Sequence, residues 1–599
     1  MSTPHTADPE KQVETKRFIE SDAGDGTKRE DQYLHGLHLI ICFAAVFLCM
    51  FLVALDQTIV ATILTTVGNK FNDFDKVGWL SSGFLLAMAV FIQPFGKISI
   101  IFGRKITMCV AIILFEAGSL MCALAPNMNV LIGGRVLGGI GAAGIQGMAF
   151  VIVSEIVPIE KRPLGMAVMS CVFAIASVLG PLVGGAFTTH VTWRWAFYIN
   201  LPIGGLAFVF LLWAFQPPKS TIDIKKELRE FDYIGTFLLI AGCTVFLLAL
   251  TFGGADYKWN SAAVILCFVL GGLVIIAFII WSGWFSKNPV IAPEIAKIPQ
   301  VMAATVCLAG IFSAFIASLI YLSIYFQVIK DATAMGSGLH LLPMIIAVVL
   351  CSVSSGIGIQ KSKFVKPFSV VAGIIGPIGY GLLAVLDVDS SFAQQVGLLI
   401  LAGVGVGAQM QPCIMAAQIS APKTPGSTIM VTVFINFSRS YFSALAACIA
   451  DVVYASSLKN SYKKALEKLT NQEIFQQLEG VDVSTLVSNN SFIGRLSPDA
   501  RHFVKVQIMK AIRNVFYMSI GFAAISFIAC FFITNDKLPD ISGRVAPQKA
   551  EDNEDSEATE QSDKLQSEVD ETDVAENKDA GSLQESVGSA DGSSITQKQ

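Results

Sequence analysis

The sequence predicts an all-α membrane protein with fourteen transmembrane helices. Hydrophobic residues make up 53% of the 599 residues, charged residues only 15%, and the mean hydropathy is +0.61. Soluble chains of this length are less apolar. The apolar residues fall into windows of about twenty, the length that a helix needs to cross the hydrocarbon core of a bilayer.

These windows follow one another along most of the chain. The first is preceded by a long polar segment and lacks a signal-peptide cleavage pattern, so it is predicted to remain as a membrane helix. An even number of spans places both termini on the same side of the membrane. The spans are predicted at residues 37–63, 77–99, 105–125, 129–152, 164–189, 195–216, 233–253, 261–284, 301–328, 338–359, 367–387, 394–418, 426–456 and 514–534.

Lysine and arginine in the short connections indicate which side this is. With the N-terminus in the cytoplasm, the inside connections hold fifteen of these residues and the outside connections five, in agreement with the positive-inside rule. The tails 1–36 and 535–599, the second of them acidic, are therefore predicted to be cytoplasmic, and both are polar enough to be disordered. The long connection 457–512 is predicted to lie outside, where Asn489 begins an Asn-X-Ser glycosylation pattern.

Several classes of function find no support. The twelve cysteines form no CxxC pair and the histidines no cluster at metal-ligand spacing, so neither a metal site nor a disulfide framework is predicted. No loop groups a nucleophile with a base, and no GxxxxGK[ST] loop occurs, which disfavours an enzyme or an ATP-driven pump. No cofactor and no nucleic-acid partner are predicted.

Two charges lie deep within apolar spans. Asp56 is about 10 Å and Arg135 about 9 Å from the outer end of its span, at a rise of about 1.5 Å per residue. A charge at this depth is costly unless it is paired or hydrated. The matching depths therefore predict that the two side chains pair directly or through water, and both a proton-coupling role and a static ion pair are open for them.

Glycine and proline mark a moving part in the fifth span. The segment 180–185 reads GPLVGG and contains Gly180, Pro181, Gly184 and Gly185. Glycine lets a neighbouring backbone come close, and proline frees a backbone group that only protein or a water-filled cavity can satisfy within a membrane. We predict a hinge here.

The connection between the second and third spans is a candidate gating loop. It reads GKISIIFGRK over residues 96–105, in which Gly96 and Gly103 permit close helix approach, and Arg104 and Lys105 can meet helix C-termini or acidic partners. A basic loop that only fixes the topology is the alternative.

Polar residues in the remaining spans are assigned by position. Glu155, at the cytoplasmic end of the fourth span, is interpreted as an ion-pair partner of the nearby Lys161 or Arg162. A large apolar cavity with few polar groups would admit many lipophilic molecules, because apolar burial discriminates weakly between shapes. The candidate lining residues of such a cavity are Tyr321, Tyr325, Gln327, Gln411, Asn436 and Arg439.

Two of these segments resemble motifs of the major facilitator superfamily. The loop 96–105 is similar to the superfamily's G-x-L-a-D-r-x-G-r-k motif, with Ile100 in place of the aspartate, so the charge-relay role of that aspartate does not carry over. The segment 131–144, LIGGRVLGGIGAAG, resembles the superfamily's proton-coupling motif, with Gly138 where glutamine is common.

Other segments resemble the fourteen-span drug:proton antiporters and their fungal branch. Residues 55–64, LDQTIVATIL, are similar to the antiporters' first-span signature, and 180–185 to their motif C. The stretch 193–202, WRWAFYINLP, resembles the fungal pattern, as do SGLHLLP at 337–343 and GVGVG at 403–407.

The resemblance implies a fold of two six-helix bundles with two inserted helices. The N-terminal bundle is expected at 37–216, a cytoplasmic linker with the inserted helices at 217–284, and the C-terminal bundle at 301–534. The bundles are expected to rock against each other.

It also implies proton-coupled efflux of small lipophilic molecules, with Asp56 and Arg135 coupling the proton. Uptake or exchange of a siderophore, glutathione or a vacuolar basic amino acid is the alternative, and a channel or receptor is a third class. The partners implied are a small-molecule substrate, the proton and the lipid bilayer. A monomer in the plasma membrane is expected, with the vacuolar membrane as the alternative.

Overall fold

A computed structural model describes residues 32–73, 76–218, 223–253, 259–422, 424–467, 478 and 496–538. Nearly all of both predicted tails, most of the connection between the last two spans, and the glycosylation candidate Asn489 lie outside the described residues. The predictions made for them stay predictions.

Long α-helices follow the predicted spans in order. In chain order they are α1 Gly36–Phe71, α2 Trp79–Phe102, α3 Arg104–Leu124, α4 Met128–Ile156, α5 Arg162–His190, α6 Asn200–Ala214, α7 Tyr233–Phe252, α8 Ala262–Ile280, α9 Pro299–Ile324, α10 Ala334–Ser362, α11 Lys366–Leu383, α12 Phe392–Ile419, α13 Ser427–Glu467 and α14 Pro498–Cys530. Short helices at Trp195–Tyr198, Ile224–Arg229 and Pro293–Lys297 lie in connections, and π-turns at Trp281–Phe285 and Tyr325–Ile329 extend α8 and α9. The all-α membrane fold is confirmed.

Thirteen helices in the described part of the chain are long and apolar enough to cross a membrane. The predicted span that is absent from this set is α5, a helix of 29 residues. Helix α5 is nevertheless long enough to cross a bilayer. The count of fourteen therefore agrees with the long helices.

The last two helices reach further than the predicted spans. Helix α13 continues to Glu467, and α14 begins at Pro498, so both ends of the connection predicted at 457–512 are helical. Ser497 caps α14 by accepting a hydrogen bond from the backbone N–H of Ala500, and proline occupies the first turn, where its missing N–H costs nothing. A search for apolar windows does not detect polar helical turns of this kind.

The helices pack as two groups with a pair between them. Helices α1–α6 contact mainly one another, as do α9–α14. The groups meet where α5 packs on α10 and α2 packs on α13, while α7 and α8 pair and α7 contacts both α2 and α13. Small residues make close approach achievable: a Cβ at Gly141 of α4 would lie 2.6 Å from the Cα of Phe115 in α3.

Polar contacts join the two groups toward the predicted cytoplasmic side. Gln146 Nε2 of α4 donates a hydrogen bond to Ser440 Oγ of α13 at 3.2 Å. Nearer the helix ends, Lys363 Nζ lies 3.5 Å from Glu160 Oε1. These two contacts hold the groups together toward that side.

On the opposite side of the second group, an ion cluster joins the connection between α9 and α10 to α14. Asp331, which lies between α9 and α10, accepts hydrogen bonds from Arg501 at 2.6 Å and Lys505 at 2.7 Å, both on α14. Lys505 also donates to the carbonyl of Ile329 at 2.8 Å. Partial burial alone would raise the pKa of Asp331, but the hydrogen bonds and charges of Lys505 and Arg501 hold it below its usual value.

We expect the melting temperature of the purified protein to fall in acid partly through Asp331. Its folded-state pKa is lower than its unfolded value, so its contribution is present above the unfolded pKa and is lost as pH falls through the folded pKa. Asp331→Asn should therefore lose less melting temperature than the wild type between neutral pH and about pH 3. Asp389→Asn is the control, since the exposed Asp389 acts on Lys330 through its charge and accepts no hydrogen bond within the described part of the chain. Equal acid profiles for Asp331→Asn and the wild type would contradict this prediction.

Candidate transport site

A buried ion pair lies within the first group of helices. Asp56 of α1 and Arg135 of α4 form a salt bridge between Oδ2 and Nη1, and their exposed fractions are 1% and 3%. Arg135 Nε donates to the carbonyl oxygen of Leu80 at 2.9 Å, and its guanidinium lies 4.2 Å from the ring centroid of Phe84. The structure thus brings together the two residues that matching depth had paired.

Two further side chains complete this network. Asn200 Nδ2, at the start of α6, lies 3.4 Å from Asp56 Oδ1 and donates to Ser119 Oγ of α3 at 3.0 Å. Sequence reasoning quoted Asn200 only as part of a family pattern. The available signal was a polar amide inside the predicted span 195–216, two residues before Pro202.

A second carboxyl group lies in the same group of helices. Glu116 of α3 packs against Gly204 of α6, so closely that a Cβ at Gly204 would overlap the carboxyl group. Neither carboxyl oxygen has a hydrogen-bond partner in the described part of the chain. A buried carboxylate without a donor is costly, so Glu116 is another group that a proton can neutralise.

The predicted hinge segment packs on the helix that carries Asp56. Gly180 and Gly184 of α5 face α1, where a Cβ would lie 2.7 Å from Thr58 Cβ and 2.8 Å from Ile59 Cγ1, respectively. No heavy atom outside the local helix lies within 4 Å of a Cβ at Gly185.

Pro181 lies inside a continuous helix. Helix α5 runs without interruption through Pro181, whose ring is 3.5 Å from a Cβ placed on Gly338 of α10. The segment therefore contacts both α1 and the second group of helices, and bending at Pro181 remains a prediction.

The candidate gating loop, predicted as the connection 96–105, is helical except at Gly103, because α2 continues to Phe102 and α3 begins at Arg104. Gly103 has φ +85°, a backbone conformation that favours glycine, between α2 and α3. Arg104, 1% exposed, forms hydrogen bonds of 2.9–3.1 Å with both carboxylate oxygens of Glu155. Lys105 Nζ donates to the carbonyl of Leu212 at 2.8 Å, and Gly96 packs directly against Val433 of α13.

Glu155 therefore pairs with Arg104, which lies far from it in the sequence. The interpretation from sequence proximity had paired it with Lys161 or Arg162. The ion pair joins the gating loop to the predicted cytoplasmic end of α4. Ile100, which replaces the family's aspartate, lies in the same loop.

A central cavity lies between the two groups of helices. Its wall is mostly methionine, phenylalanine, isoleucine, valine and alanine, contributed by α1, α2, α4, α5, α9, α10, α12 and α13. The polar lining residues are Gln57, Gln146, Arg439, Ser440 and Ser443. Gln57 follows Asp56 directly in α1. Gln57 lines the cavity, and Asp56 forms the ion pair with Arg135.

Arg439 is the candidate lining residue that the cavity contains. The structure places the others in contacts with their own helix or a neighbour: Tyr321 with Asp451 (2.7 Å), Tyr325 with the Asp387 carbonyl (3.0 Å), Gln327 with Ser323 (3.0 Å), Gln411 with Ser352 (3.0 Å) and Asn436 with the Thr432 carbonyl (2.8 Å). Depth along a helix was readable from the sequence, whereas the direction of each side chain around the helix was not.

Comparisons with known proteins agree with this architecture. The family model described as Major Facilitator Superfamily matches residues 46–447. The chain is 34% identical to the vacuolar basic amino acid transporter 5 of Saccharomyces cerevisiae, covering 88% of this chain and 96% of the relative. It is also 34% identical to the MFS-type efflux pump MFS1 of Trichophyton rubrum, over 83% and 91% of the two chains.

Further fungal relatives of similar identity are also named as efflux pumps. Among solved structures, the human organic anion transporter MFSD10 (TETRAN) aligns with a TM-score of 0.53 at 13% identity, covering 83% of this chain and all of the other. At this identity the likeness shows the fold alone.

Proposed function

The chain belongs to the major facilitator superfamily, and we propose that it exports small lipophilic molecules from the cytosol in exchange for protons. The observation that carries the proposal is the buried Asp56–Arg135 pair, which lies one residue from the wall of an apolar cavity between two groups of helices. A carboxylate there can accept a proton, and the cavity can hold an apolar solute. The efflux pumps among the relatives support the direction.

The proton acts through the charge of Asp56. Neutralising this carboxylate removes the counter-charge of Arg135, which among the described residues then keeps the Leu80 carbonyl and the rings of Phe84 and Phe197. Because a buried unpaired charge is costly, protonation favours a different arrangement of α1 and α4. We propose that Asp56 takes up a proton from the outside and releases it to the cytoplasm, and that the two helix groups rock between these states.

The other parts of the site connect this change to transport. Gly180 and Gly184 keep α5 in contact with the turn that follows Asp56, and Pro181 brings α5 to α10 of the second group. A shift of α1 is thereby passed to the interface between the groups. Arg104 and Glu155 hold the cytoplasmic end of the first group together during this movement.

A second candidate function is transport of basic amino acids, which the relative from Saccharomyces cerevisiae names. A cationic substrate needs acidic partners, and the described cavity lining contains none. This observation favours efflux of lipophilic molecules.

We propose that the protein is a monomer in the plasma membrane, with the vacuolar membrane as the alternative. In either membrane, the proposed transport moves substrate out of the cytosol.

The test is efflux of a panel of fluorescent lipophilic compounds from cells with and without the gene. We expect the cells with the gene to retain less compound, and the difference to vanish when the proton gradient is collapsed. Movement that is insensitive to the gradient, or net accumulation, would favour the uptake or exchange function instead.

A further inference from the structure

We propose that the central cavity binds organic anions: molecules with an apolar body and a carboxylate or similar acidic group, for which Arg439 is the counter-ion. The proposal rests on the proposed export function and names its substrate class. Its basis is a buried cation in the transport cavity for which the described part of the chain supplies no opposite charge.

Arg439 lies in the cavity wall, in the first half of α13. It is 6% exposed, and its guanidinium carbon lies 4.6 Å from the ring centroid of Phe312 and 5.4 Å from that of Phe150. Those two rings belong to α9 and α4, so the guanidinium is held between the two groups of helices. The aromatic faces attract the cation and fix its position.

The guanidinium has no hydrogen-bond acceptor among the described residues. Its Nε is buried without a partner, and the terminal nitrogens, which are not among the buried unsatisfied atoms, remain accessible from the cavity. Five donors in a planar fork match the two oxygens of a carboxylate. The open edge of Arg439 is therefore shaped for an acidic group.

Within the described ranges, no acidic side chain pairs with Arg439. The sequences of α2, α5, α7, α9, α10 and α12 contain no aspartate or glutamate at all. In α4 the acid is Glu155, which pairs with Arg104, and in α1 it is Asp56, which pairs with Arg135.

The remaining nearby acid is Asp451 on α13 itself. Twelve residues of helix separate it from Arg439, about 18 Å along the axis, and it accepts the hydroxyl of Tyr321 at 2.7 Å. Asp56, Glu155 and Asp451 thus have other partners, and Glu116 lies on α3, which contributes no residue to the cavity wall. A buried cation without a counter-ion is unfavourable, and an anionic substrate supplies the missing charge.

The rest of the lining fits the apolar part of such a molecule. Met50, Met88, Phe315 and Met410 line the cavity, and thioether and aromatic groups adapt to flat or irregular apolar bodies. Ser443 and the Gln146–Ser440 pair add neutral polar groups. The lining thus combines an apolar wall with one cationic group, Arg439. An apolar molecule with an acidic group matches both parts better than a neutral or cationic molecule does.

The test compares three probes of similar apolar character on the purified full-length protein. They are dansyl-phenylalanine, which carries a carboxylate, its neutral methyl ester, and the cation tetraphenylphosphonium. Binding is measured by dansyl fluorescence, with tetraphenylphosphonium as the competitor. We expect the acid to bind at least tenfold more tightly than the ester, and the cation to compete poorly.

Variants at Arg439 identify the group responsible. Arg439→Gln should lower the affinity for the acid at least tenfold more than the affinity for the ester, whereas Arg439→Lys should keep part of the preference. Equal binding of acid and ester to the wild type, or an unchanged affinity for the acid in a folded Arg439→Gln protein, would overturn the proposal. The wild-type comparison decides the matter if Arg439→Gln does not fold.

Transport separates this inference from the proposed function. In proteoliposomes, gradient-driven movement of the ester or the cation but not of the acid would overturn the anion site and leave proton-coupled export standing. If no probe moves with the gradient, proton-coupled export fails, and the binding preference still decides whether the cavity is an anion site.

Discussion

Asp56→Asn is expected to abolish transport that is driven by a pH gradient, while substrate still moves down its own gradient. Asparagine has nearly the shape of aspartate but cannot take up and release a proton in the physiological range. It also leaves Arg135 permanently without its counter-charge, which resembles the protonated state of the network. Substrate exchange needs only the alternation of the two helix groups, so it should persist.

The measurement uses proteoliposomes containing purified wild-type or variant protein and a pH step across the membrane. Asp56→Glu is the matched control, since it keeps the carboxyl group and should retain part of the gradient-driven rate. Removing one partner of a buried pair costs about 3–5 kcal/mol, so the fold of each variant must first be verified by thermal unfolding. Unchanged concentration of substrate by Asp56→Asn would remove Asp56 from the mechanism.

Gly180→Ala is expected to impair both folding stability and transport, and Gly185→Ala to be nearly neutral. A Cβ at position 180 would lie 2.7 Å from Thr58 Cβ, whereas one at position 185 meets nothing outside its own helix turn. Overpacking of this kind costs about 1–3 kcal/mol. The strain would act on α1, two residues after Asp56.

The two alanine variants form a matched pair, since they lie five residues apart on one helix and carry the same chemical change. Melting temperature and gradient-driven transport should fall for Gly180→Ala and stay near the wild type for Gly185→Ala. Gly184→Ala, which would meet Ile59, should resemble Gly180→Ala. Equal effects at 180 and 185 would show that the contact with α1 is not what the glycines provide.

The sequence predicted the order and approximate limits of the helices well, because an apolar window of membrane length has few other structures to adopt. It missed the polar extension of α13 to Glu467 and the early start of α14 at Pro498. Those turns are stabilised by capping and by packing between the two helices, which hydropathy does not register. Asn514 Nδ2 of α14, for example, donates a hydrogen bond to Ser457 Oγ of α13 at 3.0 Å.

Within the site, depth was predictable and direction was not. Asp56 and Arg135 pair as their depths suggested, because each charge would be costly within the membrane without a partner of opposite sign. Helices that are apolar on every face give no periodic signal of which side meets a cavity. Tyr321 and Asn436 were therefore placed on suitable helices, yet their side chains contact Asp451 and Thr432.

Long-range partners were the other part that sequence could not supply. Glu155 lies six residues from Lys161, but it pairs with Arg104. Asn200 joins the Asp56 network from α6, and nothing in its local sequence names that partner. Such contacts depend on the packing of α3, α4 and α6, which is a property of the whole bundle.

The central claim is that substrate and proton move in opposite directions through one protein. The most direct measurement is therefore proton movement driven by substrate alone, in proteoliposomes that hold a pH-sensitive dye and start with no pH difference. Loading the wild-type vesicles with substrate should drive protons inward as substrate leaves, and Asp56→Asn vesicles should show no such flux. Substrate efflux without proton movement in the wild type would contradict the account.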